Sequence, residues 1–280
     1  MTIKNQNMKM KKIIMLCLAV CTMTLAQAQD QLKVITFNIK SFENSNFDVK
    51  PFAKLLAEEN ADIICLNEVE NRSARQMDPK TLKYRDVVQD LAANLKLFGV
   101  FGYSYNLMNK KGDEDESKYT FCQDELYGNA ILSRYPILNI NAMQLPRPAN
   151  SADQRGVVTA EILLPSGKMV RVACTHLDHI GGQMEQAKVL VGSNVLSATI
   201  PTILTGDMNQ WPGTEVIKLL DGSYDRLCLE GKTYQAGSKL DYIYGSKGAF
   251  EVVEKRIAAN VCDGVTLSDH FPVISVIKFK

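Results

Sequence analysis

The feature that most limits the fold is a short apolar run that stops on a polar residue, and it recurs along the chain. Residues 32–37 end on Asn38, 62–66 on Asn67-Glu68, 169–175 on His176, and 200–204 lead into Gly206-Asp207 and Asn209. Runs this short and this rich in β-branched residues read as strands buried on both faces. Helical patterns lie between them. Residues 47–60 place Phe52, Leu55 and Leu56 on one face. A second helix is predicted from Asp78-Pro79 through Leu82, Val88, Leu91 and Leu95, and a third over 183–198 with Met184, Ala187, Val191 and Val195 inward. Further strands are expected over 100–107, 126–133, 137–144, 156–164, 240–244, 250–256 and 271–279, with a polar loop over 109–125. Helix–strand alternation early and strand pairs later predict a mixed α/β domain. Two sheets packed face to face, with helices outside, would bury so many apolar strands.

The first 28 residues stand apart. Lys4, Lys9, Lys11 and Lys12 precede an apolar stretch over 13–25, and Ala26-Gln27-Ala28 has the small residues of an A-x-A cleavage site. That order predicts a signal peptide over 1–28 and a secreted or periplasmic mature chain over 29–280. An N-terminal anchor is the plainer alternative, but the stretch is short for a bilayer. A lipid-modified Cys21 is disfavoured by bulky Val20 before it. No later segment is apolar enough to span a membrane, and no linker or repeat divides the remainder, so a single monomeric domain is expected. The net charge of +1 becomes −3 without the four leader lysines, so no global field draws the chain onto polyanions. Local phosphate contacts through Lys110, Lys111, Lys118 and Arg155 stay open. Five cysteines follow the leader. Cys65 and Cys174 lie in apolar runs and read as buried thiols, whereas a disulfide among Cys122, Cys228 and Cys262 is allowed in an exported protein. No cysteine–histidine cluster points to structural zinc.

Asn38, Glu68, His176, Asp207 and Asn209 would converge if the strand ends share one rim. Each alone has a plainer reading: Glu68 as an exposed carboxylate at a helix start, Asp207-Met208-Asn209 as an Asx turn, His270 as a satisfied core histidine. The shared placement is what carries weight. Glu68 is an oxygen donor suited to a hard cation such as magnesium. His176 and Asp178 would share a face if the strand continued. Gly206 permits a backbone angle that turns Asp207 into a cleft. Asp241 places a charge in the apolar run Leu240-Asp241-Tyr242-Ile243 and needs a partner, for which His270 is suited. A Ser268-His270-Asp triad is the rival, but a serine two residues from its histidine is poorly placed and no G-x-S-x-G elbow exists.

In chain order, Thr36-Phe37-Asn38-Ile39, Leu66-Asn67-Glu68, Tyr127-Gly128-Asn129-Ala130-Ile131-Leu132-Ser133-Arg134, Gln154-Arg155-Gly156, Thr175-His176-Leu177-Asp178, Gly206-Asp207-Met208-Asn209, Leu240-Asp241-Tyr242-Ile243 and Ser268-Asp269-His270 form a series. That series resembles the endonuclease/exonuclease/phosphatase superfamily. The superfamily includes pancreatic-type deoxyribonucleases, base-excision endonucleases, neutral sphingomyelinases and inositol polyphosphate 5-phosphatases. The resemblance implies a four-layer α-β-β-α sandwich with two packed mixed β-sheets, and metal-dependent hydrolysis of phosphate esters. It implies Glu68 as the principal Mg2+ ligand with Asn38 beside it and Asp269 in support, Mn2+ or Ca2+ being substitutes. It implies Asp207 positioning or deprotonating the attacking water, Asn209 and His176 on the phosphate, and His270 as base or transition-state contact oriented by Asp241. Tyr127, Asn129 and Arg155 would line the substrate.

Two departures narrow the branch. Lys40 stands where the base-excision branch commonly has an acidic residue, and that branch lacks the Thr-His-Leu-Asp segment. The expectation is therefore a phosphodiesterase acting on nucleic acid, a phospholipid head group or a small phosphodiester. The alternatives are a phosphomonoesterase of the inositol-phosphatase type and a catalytically silent binding module on the same scaffold.

Overall fold

The computed structural model describes residues 31–107 and 124–280. The leader, Cys122, Lys110, Lys111, Lys118 and most of the polar loop lie outside the described residues. In chain order the elements are β1 (Gln31–Asn38), α1 (Lys50–Glu59), β2 (Ile63–Asn71), α2 (Val87–Leu95), β3 (Phe98–Asn106), β4 (Leu126–Ser133), β5 (Ile137–Gln144), β6 (Gly156–Leu163), β7 (Met169–His176), α3 (Gln183–Leu190), β8 (Thr202–Asp207), α4 (Glu215–Ser223), β9 (Tyr224–Arg226), β10 (Asp241–Ser246), β11 (Phe250–Ile257), β12 (Val261–Cys262), β13 (Val265–Thr266) and β14 (Val273–Phe279).

Two six-stranded sheets have the orders β11-β14-β1-β2-β4-β3 and β5-β6-β7-β8-β10-β9. Each is mixed, with one parallel pair at its centre, β1–β2 and β7–β8, and antiparallel neighbours on both sides. Alternation along the strands builds the layers. Leu32 and Val34 of β1 and Cys65 of β2 meet Val158, Val172 and Cys174 of the second sheet in one inter-sheet core. Ile35 and Phe37 face the other way, onto Phe52 and Leu56 of α1 and Val88 and Leu91 of α2. Helices α3 and α4 bring Ala187, Leu190, Ile217 and Leu220 to the second sheet. The expected four-layer sandwich is the fold observed.

Several local expectations change. The second helix begins at Val87, not at Asp78. Asp78 accepts the backbone N–H groups of Lys80 and Thr81 in a turn, Asp86 accepts Gln89 N–H as the N-cap, and Leu82 is exposed. The third helix stops at Leu190, because a turn through Gly192 takes over. Helix α4 was not anticipated, although Thr214 caps it and Val216, Ile217 and Leu220 form its buried face. Strand β2 does not end at Asn67-Glu68 but runs on to Asn71. Cys65, Cys174, Cys228 and Cys262 are all buried free thiols, so the allowed disulfide does not join Cys228 to Cys262. Among the described residues no helix is long and apolar enough to cross a membrane.

Candidate active site

The two parallel pairs bring their carboxyl ends to one rim. Asn38 and Asn67 are level across β1–β2, and His176 and Asp207 are level across β7–β8. Strand β10 enters antiparallel with Asp241 opposite Asp207. Glu68 sits in a bulge between Leu66 and Val69, with φ at 54°. The extra residue turns its side chain out of the strand's alternation. Gly206 has φ at 142°, and a Cβ there would lie 1.8 Å from the Thr175 carbonyl oxygen. Only glycine allows that approach of β8 to β7 beside Asp207.

Amides stitch the rim. Asn38 Nδ2 donates to Glu68 Oε1 at 2.9 Å and to Asp207 Oδ2 at 3.1 Å, joining carboxylates from the two sheets. Asn67 lies beneath. Its Nδ2 donates to the Thr175 carbonyl at 2.7 Å and to Asn129 Oδ1 at 2.8 Å, and its Oδ1 accepts Asp207 N–H at 3.1 Å. Asn129 Nδ2 continues to the Gly156 carbonyl at 3.0 Å.

Two histidines approach Asp207 from different surroundings. His270 Nδ1 donates to Asp241 Oδ2 at 2.9 Å, and its Nε2 lies 3.6 Å from Asp207 Oδ2. Burial alone would lower its pKa. The charge and hydrogen bond of Asp241, joined by Asp207 and Asp269, outweigh burial and push it up to about 10. The Tyr234 ring packs against it at 4.8 Å. His176 Nε2 lies 3.5 Å from Asp207 Oδ2 and 2.9 Å from Asn209 Nδ2, and its Nδ1 lies 3.0 Å from Arg155 Nη1. Burial first, and then the Arg155 cation, hold its pKa well below the usual imidazole value. Asp207 is raised from the ordinary carboxylate range by burial and by the neighbouring charge of Asp241. Its Oδ1 accepts Asn209 N–H at 2.8 Å.

Residues from most segments of the motif series meet at this rim, and the model of the endonuclease/exonuclease/phosphatase family matches residues 35–270. The chain belongs to that family. Members are typically metal-dependent phosphoester hydrolases. The chain is 28% identical to an uncharacterized protein of Escherichia coli K12, YbhP, over 190 residues, 65% of this chain and 68% of that one. An endonuclease/exonuclease/phosphatase structure from Beutenbergia cavernae has a TM-score of 0.69 at 20% identity, over 89% of this chain and 72% of that one. The human nocturnin catalytic domain, solved with a bound sulfate anion, has a TM-score of 0.65 at 20% identity, over 90% of this chain and 94% of that one. At these identities the two structures share the family fold.

The family implies a divalent cation, and the acidic side of the cleft fits one. Glu68 is half-buried, and among the described residues its backbone carbonyl accepts a hydrogen bond from Ser41 Oγ, while its carboxylate accepts one from Asn38 Nδ2. Glu68 and Asp207 share that single amide nitrogen, while buried Asp241 Oδ1 has no hydrogen-bond partner. Among the described residues, Asp207, Asp241 and His270 also bring ligand-type atoms within 4.8 Å of one another. Converging carboxylate oxygens suit a hard cation such as magnesium rather than a thiophilic metal.

Several expected roles are revised. Asn38 turns its nitrogen to the carboxylates, and its Oδ1 accepts Lys40 N–H at 3.1 Å, so here it clamps the two carboxylates beside the expected cation position. Asp269 lies on the rim with Lys40 Nζ 3.7 Å from its Oδ2, outside the group around Asp207. Asn129 is a buried tie between the sheets and not a lining residue, because both ends of its amide are engaged. Tyr127 stacks on Tyr105 at 4.8 Å and feels the charges of Glu68 and Arg155. Arg155 is buried, and its Nη atoms face His176 and His179. Asp178 points away from the cleft, because β7 ends at His176. It accepts backbone N–H groups of Asp153, Ile180 and Gly181. Ser268 Oγ donates to the Asn38 carbonyl at 2.7 Å and accepts His270 N–H, so it staples the loop and forms no triad. Asn67 and Tyr234 were missed. The available signal for Asn67 was its place at the end of an apolar run, directly before Glu68.

Proposed function

We propose that this protein is an exported, divalent-metal-dependent hydrolase of phosphate esters, a phosphodiesterase acting on nucleic acid, a phospholipid head group or a small diester by in-line attack of water. The observation that carries the reading is the position of Asp207. One buried carboxylate, contacted by Asn38, His176 and His270, links both sheets at the cleft. Its raised pKa suits a group that takes a proton from water near neutrality. Asn209 N–H holds Oδ1 and so fixes the direction of the carboxylate. His270, kept cationic by Asp241, is a donor and not a base, with Nε2 aimed at the same place. His176 and the Asn209 amide supply neutral donors for phosphoryl oxygens. Glu68 would hold the cation, with Asp207 and Asn38 adjacent; such a cation neutralises charge that develops on phosphoryl oxygens.

The leader over 1–28 supports export of a 29–280 domain, checked by the N-terminal sequence of protein recovered from the periplasm or medium. For the activity, plasmid DNA, sphingomyelin, inositol phosphates and chromogenic mono- and diesters are tested with magnesium, before and after chelation. Diester hydrolysis lost on chelation and in Glu68→Gln is expected. Hydrolysis of monoesters alone assigns the site to the phosphomonoesterase alternative. Activity that survives both treatments on every ester sinks the proposal.

A further inference from the structure

We propose that Arg155 is a positioning residue that fixes His176 in the tautomer protonated on Nε2, so that the ring N–H faces the cleft as a permanent donor. The idea deepens the phosphate-ester reading, but its structural half stands without it. Arg155 is 4% exposed and directly precedes β6. Its Nη1 lies 3.0 Å from His176 Nδ1 and its Nη2 lies 3.2 Å from His179 Nδ1. Asp153 and Asp178 stand behind it at 3.6 and 3.9 Å and balance its charge. A guanidinium has donors and no acceptor. A proton on His176 Nδ1 would therefore set two donors head to head, one of them cationic. With Nδ1 accepting, neutral His176 must carry its proton on Nε2.

Asn209 competes for the other side of the ring. Its Nδ2 donates to the Leu177 carbonyl at 2.9 Å and also lies 2.9 Å from His176 Nε2. A neutral imidazole accepts at one nitrogen only, so one of the two donors goes unaccepted. The guanidinium prevails because charge-assisted hydrogen bonds are roughly twice as strong as neutral ones. Asp207 Oδ2, 3.5 Å from Nε2, also favours a proton there. That distance is too long to lock the proton onto the carboxylate. The result sets His176 Nε2–H and the second Asn209 hydrogen against each other at 2.9 Å, a neutral donor pair milder than one with the guanidinium and relieved by an acceptor oxygen at the cleft. His270 is the reverse case, its Nδ1 donating to Asp241. One cleft thus holds two histidines whose Nδ1 atoms have opposite roles, assigned by an arginine and an aspartate.

The test is nitrogen NMR of protein carrying 15N-labelled histidine, in which only three histidines contribute and His179→Ala assists assignment. The wild-type chain should show His176 with a bare Nδ1 and a protonated Nε2. Arg155→Met, checked for native circular dichroism, should give a mixture of tautomers. It should also lower kcat on the hydrolysed ester by roughly 10²-fold with KM little changed, the loss expected for a pre-organised donor. Arg155→Lys, which keeps one cationic donor, should restore the tautomer in part. A wild-type His176 protonated on Nδ1, or an unchanged spectrum in folded Arg155→Met, overturns the proposal. If Arg155→Met does not fold, the wild-type and Arg155→Lys spectra still decide. The spectra need no substrate, so failure to hydrolyse any ester would count against the phosphate-ester reading and leave the tautomer assignment standing.

Discussion

The two walls of the cleft are built from similar strand pairs and treated differently by solvent. On the first sheet's side, Glu68 is half-buried and Asp269 faces Lys40 at the rim. On the second sheet's side, His176, Asp207 and Asp241 are 4%, 1% and 0% exposed. Water access suits a group that exchanges a hydrated cation. Exclusion of water suits groups whose proton affinity must differ from solution, as the shifts of Asp207 and His176 do. His270 precedes β14 of the first sheet yet reaches Asp241 and Asp207 of the second, so it is the side chain that crosses. The proposed roles divide the same way: Glu68 in the open wall would hold the cation, and Asp207 in the sealed wall would take the proton.

Substitutions can break that division. The largest effect is expected for Asp207→Asn in the sealed wall: kcat falls by roughly 10²- to 10⁴-fold, as for loss of a general base. Magnesium affinity by titration calorimetry should change far less; a comparable loss of affinity would merge the two walls. Next comes Glu68→Gln in the open wall, which should weaken magnesium binding by about 10- to 100-fold, with activity partly regained in excess magnesium. Unchanged affinity would remove Glu68 from the metal site. Asn67→Ala touches both walls. It leaves the Thr175 carbonyl, Asn129 and Asp207 N–H without their partner, so urea unfolding should show a loss of about 1–3 kcal/mol together with lower kcat. A stable, fully active variant would show that the walls hold themselves apart unaided. Smallest is Lys54→Ala, which removes an exposed ion pair with Asp263. Neither the melting temperature nor kcat should move measurably.

Much of the scaffold was readable along the chain. Strands β4 and β5 fall on the predicted bounds, and α1 falls within its predicted span with Phe52 and Leu56 buried. Errors gathered where a turn imitates a helix start, as Asp78 does, and where a bulge interrupts alternation, as at Glu68. The Asp241–His270 pair was legible because a charge in an apolar run demands a partner and few histidines could supply it. Asn129 and Arg155 were recognised through their motifs as lining residues, without their contacts. Nothing near them in sequence shows that one ties two sheets and the other faces two imidazoles.

What this chain's sequence determined alone was the set of elements and the residue types at their ends. Periodicity, turn residues and isolated polar groups act over a few positions, and the backbone responds to them locally. What only the tertiary structure decided was which atoms meet. Asn38 and Asp207 are 169 residues apart, and the hydrogen bond between them exists because two sheets with matching parallel centres stack with their carboxyl ends on one side. The same stacking buries both histidines, and the partner it sets beside each one, Asp241 at His270 and Arg155 at His176, drives their proton affinities in opposite directions.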